Sequence, residues 1–586
     1  MTEAMYREQL AARGRVFLRQ VADNPTSIYA CHALFALDEK TDLVEGIVKR
    51  VFGGEKNGPF GRVAAGTFDV FAAMHLVCRW QDRLTDGTLD HIREIMTQGL
   101  HHRGNTENHW LMYYVGHLLA AEMWPDESVM WNGLRPCVVR DEAMRWLGGM
   151  IDRTARTGHH EYDSSQYHGW HVTPMIALAD HAKDEGLRKQ AEKMATLLIA
   201  DMALEYFAGA WAGGHCREGY RENTWHYVGT SAALMPYYFG DEREDPMHIQ
   251  AGMCPAVTAH YQPPVLFAEL ARERSVPRVV KKTKAPRTIY RHVEDETKPV
   301  RKYTYLSRSF ALGSTQVGLP KGCGGPIDLT AWDLTWDAPK HEGTVVCNHP
   351  YLSPKRFSAF LSEVPQSIGR SVAAPKPYLQ NPDRLFGASP FEQMMQFENA
   401  MLVLYRIPKD DATPYVNLYL PRNVRWVERG GWIVGNMHDF YVGLRPIGAY
   451  RWESIKEDPQ VDGWLLRIED VHAGLVVEAV EASDVASFDA FCDAIVQRGL
   501  DLHDWQDQGV VRYDALNGHR LEMVYDGDHV VDGERVDYDA WPLYGGPGIE
   551  APLGTGVIMF EQGDKMVRLD FEVDQDAEMI PMRVIG

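Results

Sequence analysis

Three short stretches of the chain collect side chains that move protons and hold anions. In TENHW, residues 106–110, Glu107, Asn108 and His109 stand at the head of a run in which Leu111, Tyr114, Val115, Leu118 and Leu119 recur at helical spacing. In GHHEYDSSQYHGWHVTP, residues 158–174, His159, His160, Glu161, Asp163, Tyr167, His168, Trp170 and His171 crowd the approach to a second helix. In GGHCREGYRENTWHY, residues 213–227, His215, Arg217, Tyr220, Arg221 and Trp225 follow a third. Amide and cationic donors beside His and Tyr suit removal of a proton next to a carboxylate. The donors neutralise the carboxylate and hold the enediolate, while His or Tyr carries the proton. A uronic acid offers such a proton at C5, and expulsion of the glycosidic oxygen from C4 completes a β-elimination.

The carboxylates allow a second chemistry. Glu107 with Glu161 or Asp163 makes the acid and base of an inverting glycoside hydrolase if the pair stands about 6.5–9.5 Å apart. Each also has a plain structural role: Glu107 compensates a helix dipole, and Glu161 or Asp163 caps a loop. The same aromatic loops, with catalysis lost, would make a carbohydrate-binding protein. Trp170 and Trp225 are the candidates for stacking on sugar faces, whereas Trp110 and Tyr113 fit a helical core. The helix start at residue 107 is expected to favour an anionic group of the substrate through its free N–H groups and positive dipole end. Thr106 is the expected N-cap.

No HExxH or Cys/His box is present, so no metal ligand is assigned and no cofactor is expected. His159, His160, His168 and His171, and in the second half His341, His349 and His438, leave room for a structural divalent metal such as zinc.

The elements that must position these residues divide the chain by texture. Residues 1–272 carry apolar residues at i, i+3 and i+4 in successive segments, and read as a helical domain. Residues 273–302, rich in charge and proline, read as a linker. Residues 303–586 switch to period two with turns at Gly, Asn and Asp, interrupted by one helical stretch, ASFDAFCDAIVQRGL. The fold class expected is therefore multidomain α+β, helical hairpins followed by an antiparallel β-sandwich.

Composition sets the remaining limits. A formal net charge of −21 over 586 residues argues against general nucleic-acid binding, which needs an excess of Lys and Arg. An acidic polysaccharide or oligosaccharide remains a suitable partner, because cations converging in a cleft focus their own field. No apolar run is long enough to span a membrane. The 8 cysteines are scattered without a CxxC pair, which fits buried thiols in a reducing compartment. The chain is expected to be cytoplasmic, or periplasmic if a leader was removed; oligomerisation is open.

The stretches ENH (Glu107 to His109), EYDSSQYHGW (Glu161 to Trp170) and GGHCREGY (Gly213 to Tyr220) resemble the heparinase II/III-like and alginate-lyase-like polysaccharide lyases. WVERGGWIVGNMHDFYVGLRPIGAYRW, Trp426 to Trp452, is also similar to theirs. The resemblance implies an N-terminal (α/α) toroid followed by a β-sandwich. It puts carboxylate neutralisation on Asn108, proton transfer on His109 and Tyr167, and an added cation on Arg217 or Arg221. Glu107, Glu161, Trp170, His171, Tyr220, Arg221 and Trp225 would then contact substrate. The pattern departs from the alginate-lyase type at Glu107, where a second Asn usually stands.

Overall fold

The computed structural model describes residues 1–53, 63–104, 106–216, 229–240, 248–285, 299–317, 329–338, 343–351, 381–385, 389–455 and 463–571. Its helices come first. They are α1 (Glu3–Asp23), α2 (Ile28–Leu37), α3 (Leu43–Phe52), α4 (Thr67–Trp80), α5 (Asp86–Gln98), α6 (Glu107–Met123), α7 (Pro136–Thr157), α8 (Gly169–His181), α9 (Glu185–Leu204), α10 (Thr230–Phe239), α11 (Cys254–Val257) and α12 (Val265–Arg272). Neighbours in sequence pack as hairpins, α6 on α7 and α8 on α9, while α6 also touches α4 and α8. Helix α6 is therefore central. The expected stripe of Leu111, Tyr114, Val115, Leu118 and Leu119 is buried, and so are Met112, Gly116 and His117 on its other sides.

The second half is antiparallel sheet. Among the described residues a twelve-stranded sheet faces a six-stranded one, and a five-stranded sheet lies beyond. Phe310, Leu312, Leu334 and Leu418 of the large sheet meet Met401, Val403, Leu444 and Val477 of the six-stranded one in a shared core. The other face of the six-stranded sheet is covered by the helix Phe488–Val496 and the five-stranded sheet, through Phe491, Ile495, Val511 and Tyr513. Burial on both faces explains why Ala400–Tyr405, AMLVLY, is apolar throughout rather than alternating. A two-residue parallel pairing, Ala64–Ala65 with Leu100–His101, lies inside the helical half and forms no layer of its own.

The expected linker at 273–302 needs correction. Arg278–Lys284 is a strand of the twelve-stranded sheet and pairs in full register with Val300–Leu306. Its lysines suggested an exposed connection, yet Lys282 and Lys284 are fully buried, as is Lys302 on the neighbouring strand. Their positions alternate as a strand requires, and they point at carboxylates from the helices. The boundary between the halves is also crossed by the end of the described chain. Ile549, Ile558, Phe560 and Leu569 join the helical core, with Phe560 edge-on to Phe267 of α12 at 5.2 Å.

Candidate functional site

Helix α6 begins as expected, with Thr106 extended at φ −120° and its hydroxyl accepting from the His109 N–H. Gly104 makes the approach possible. At its φ of +74° a Cβ would stand 2.7 Å from the His109 side chain, so only glycine turns the chain this tightly here. From this start Glu107 and Asn108 point inward and His109 outward.

The inward pair forms a reciprocal clamp with the loop before α8. The Glu107 carboxylate accepts from the backbone N–H groups of His160 at 2.9 Å and Glu161 at 2.8 Å. The Glu161 carboxylate in turn accepts from the Asn108 backbone N–H at 2.8 Å and from its amide Nδ2 at 2.6 Å. His171 Nε2 lies 3.6 Å from Glu107 and 3.8 Å from Glu161, and its Nδ1 reaches the Tyr167 carbonyl at 3.3 Å. Arg153 approaches Glu107 from α7 at 3.7 Å. Burial by itself would raise the pKa of Glu107. The hydrogen bond and charge of His171, with His159 and His160, outweigh it and hold the carboxyl well below its ordinary range. Burial opposes the charge on His171 as well, yet Glu107 and Glu161 lift its pKa above the usual imidazole value.

This geometry revises two expectations. The anion at the start of α6 is the protein's own Glu161, which satisfies the free N–H of Asn108. Glu107, Asn108, Glu161 and His171 are all fully buried, so none of these side chains is open to solvent. Asn108, expected to meet a substrate carboxylate, donates to Glu161 instead.

The outward residues are His109 and Tyr167, both half-buried. His109 pairs through Nδ1 with the Thr106 hydroxyl, and its ring stands edge-on to Phe68 at 5.2 Å. Phe68 is edge-on in turn to Trp170 at 4.9 Å, one helical turn beyond Tyr167. Trp170 itself is buried against Tyr29 and over Gly252, where a Cβ would come within 2.1 Å of its ring. It is core, not an open platform for a sugar.

The third stretch is brought to the same loop. The Cys216 N–H donates to the Tyr162 carbonyl at 3.2 Å, and the Ser231 N–H to the Ser165 carbonyl at 3.0 Å. Thr230 Oγ1 donates to the Gln166 carbonyl and accepts from the Gly169 N–H. Arg217, Tyr220, Arg221 and Trp225 lie outside the described residues. In the sheet half, His349 bonds Ser389 at 2.8 Å and the Thr413 carbonyl at 2.9 Å and joins no metal-like cluster among the described residues; His341 lies outside them.

Behind the clamp stands a group that the sequence did not disclose. Asp163, Asp201 and Glu205, from the loop and α9, meet Lys282, Lys284 and Lys302 from the sheet, all six fully buried. Lys282 lies 2.6 Å from Glu205 and 2.8 Å from Asp201, Lys284 2.8 Å from Asp163, and Lys302 2.8 Å from Glu205. Lys284 also pairs with Asp201, and Lys302 with Asp163. Burial would raise the Asp163 pKa, but the three ammonium groups drive it well below the ordinary value. They also hold Asp163 in a left-handed conformation, φ 50°, which turns the chain between Glu161 and Tyr167. Its one trace in the sequence is the spacing of Lys282 and Lys284 in VVKKTK, two residues apart, which puts both side chains on one face of a strand.

No protein-family model matches the chain, and no curated protein sequence does. Among solved structures it is similar to one described as the crystal structure of heparinase III. The identity is 9%, over 85% of this chain and 81% of that one, with a TM-score of 0.43. Nothing about the chemistry of this chain follows from a likeness at that level.

Proposed function

We propose that the protein is a polysaccharide lyase that cleaves a uronic-acid-containing glycan by β-elimination. In this reading the helical half is an (α/α) toroid and the sheet half its accessory β-sandwich. The observation that carries it is the pinning of the residue 107, residue 161 and residue 216 segments to one another by buried hydrogen bonds, with half-buried His109 and Tyr167 on the outer side. Proton carriers on a rigid support are what the reaction asks of the protein. The C5–H bond breaks toward His109 or Tyr167, a C4–C5 double bond forms, and the C4–O bond breaks as the leaving oxygen takes a proton from Tyr167. Thr106 occupies Nδ1 of His109, which makes Nε2 the transferring nitrogen. Arg217 or Arg221 neutralises the substrate carboxylate. Asn108 acts through His109 by holding the helix start.

The rival hydrolysis reading is disfavoured by the same geometry. Glu107 and Glu161 are fully buried, and their facing oxygens lie within 4.8 Å of each other and of His171. An inverting pair needs a wider, open gap of about 6.5–9.5 Å for water and sugar. Asp163 is committed to the lysines.

The test is incubation of the full chain with alginate, polygalacturonate, hyaluronan and heparan sulfate, with ultraviolet absorbance followed to detect a 4,5-unsaturated uronate. At least one polymer should yield it, and Tyr167→Phe should lower the rate by about 100- to 10,000-fold with little change in binding. New reducing ends without absorbance would establish a hydrolase. Retained glycan binding with no turnover would leave a carbohydrate-binding protein.

A further inference from the structure

Beside the clamp three imidazoles gather with no solvent contact. The His159 ring lies 5.2 Å from that of His168 and 5.3 Å from that of His171, and all three side chains are fully buried. His159 is the anomaly. Both of its ring nitrogens are buried without a hydrogen-bond partner among the described residues. A buried polar group left in that state costs about 1–3 kcal/mol, so a fully enclosed imidazole with two such nitrogens calls for a ligand.

Two sets of side chains there have donor atoms within 4.8 Å of one another: Glu107, Glu161 and His171, and His159, His168 and Asp201. Lone pairs decide between them. The Glu107 and Glu161 oxygens that face His171 each accept two N–H bonds already. In the second set the donors are open. His168 Nε2 bonds the Leu198 carbonyl at 2.9 Å, which makes it the N–H nitrogen and leaves the lone pair on Nδ1, itself buried without a partner. A backbone carbonyl that fixes the far nitrogen is the usual support of a metal-binding histidine. Asp201 meets Lys282 through one oxygen and Lys284 through the other, so each oxygen retains a lone pair. The lysines bring no net excess of positive charge there, because Lys282, Lys284 and Lys302 are matched one for one by Asp163, Asp201 and Glu205.

We propose that His159, His168 and Asp201 hold a divalent transition-metal ion of the zinc class. Two imidazole nitrogens and a carboxylate select zinc and its neighbours over magnesium or calcium, with a fourth position left for a water. The ion ties the loop carrying Glu161 and Asp163 to the start of α8 and to α9. This inference does not depend on the lyase reading.

The experiment measures metal in the full chain purified without chelators from zinc-supplemented cells. About one zinc per chain is expected, with an X-ray absorption edge showing nitrogen and oxygen ligands and no sulfur. After stripping with dipicolinate, Co²⁺ should restore one equivalent with visible ligand-field bands. His159→Asn and His168→Asn should weaken binding at least about tenfold, whereas His171→Asn and His349→Asn should not. A wild-type chain with no stoichiometric transition metal and no Co²⁺ bands, the result if water alone fills the site, overturns the proposal without any variant having to fold. So does metal that survives loss of His159 and His168 but not of His171.

Discussion

The junction between helices and sheet and the interior of the sheet half bury carboxylates in opposite ways. At the junction Asp163, Asp201 and Glu205 are surrounded by three ammonium groups, which hold the Asp163 carboxyl well below its ordinary range. In the sheet half Glu392 and Glu478 meet tyrosine hydroxyls instead, Tyr405 at 2.6 Å and Tyr513. Burial pushes their pKa values up to about 8 and about 7. A paired charge cannot be moved without leaving its partner exposed in a low dielectric, so the junction fixes geometry. A carboxyl that can take a proton fixes less, and makes stability follow pH. The charges that resist adjustment lie directly behind the candidate site.

The largest effect should come from breaking the junction. Asp163→Asn leaves Lys302 and Lys284 short of a carboxylate and should cost about 3–5 kcal/mol in urea unfolding. Replacing Asp163 and Lys302 together, by Asn and Met, should recover part of that loss, because no unmatched ammonium then remains. A single variant that unfolds like wild type would show the cluster to be solvated and the comparison mistaken.

The pair in the sheet half should respond to pH rather than to charge matching. With a folded pKa of about 7 against 4.5 unfolded, Glu478 ionises only in the unfolded chain as pH rises through that window. Stability therefore falls between pH 4.5 and about 7 and levels above it, by roughly 3 kcal/mol for this group. Glu478→Gln should flatten that slope, read from unfolding at pH 5 and pH 8. An identical slope in both proteins would mean that Glu478 is ionised as Asp163 is.

Buried histidines give the helical half the opposite pH sense. His32 and His117 are fully buried, and burial, with His181 near the first and His101 near the second, holds both down to about 3. Below pH 6.5 the unfolded chain takes up protons that the folded one refuses. Stability should then drop by about 1.4 kcal/mol per pH unit for each. His117→Gln should remove one such share between pH 5.5 and 4.5, measured by thermal unfolding; no change in slope would place its charge in contact with solvent.

What was legible in the sequence was local. The cap at Thr106, the stripe of α6 and the change of period near residue 300 each rest on neighbours a few residues apart. What was not legible depended on partners far along the chain. The Glu161 that occupies the α6 start is 53 residues from Asn108, and Lys302 is 139 from Asp163. A charge-rich segment and a buried one look alike until the opposite charges are brought beside them, and for that reason residues 278–284 read as a linker. Trp170 misled similarly, since a ring beside polar residues does not reveal Gly252 beneath it.

The smallest effect sharpens a third way of holding a carboxylate, by backbone N–H groups. Thr106 caps α6 from its own side while Glu161 caps it from the facing loop, so the helix start has two anchors. Thr106→Ala removes one and should cost about 1 kcal/mol, the ordinary value of a cap. The clamp of Glu107 and Glu161 limits fraying of the first turn, so the loss should not exceed that value. The same hydroxyl pairs with His109 Nδ1, so turnover of a uronate polymer should fall more than stability does. Thr106→Ser keeps the hydroxyl and should restore both. If alanine lowers stability by several kcal/mol, the Glu161 anchor is weak and the helix start depends on its cap. If it lowers stability as expected and leaves turnover intact, Thr106 does not orient His109.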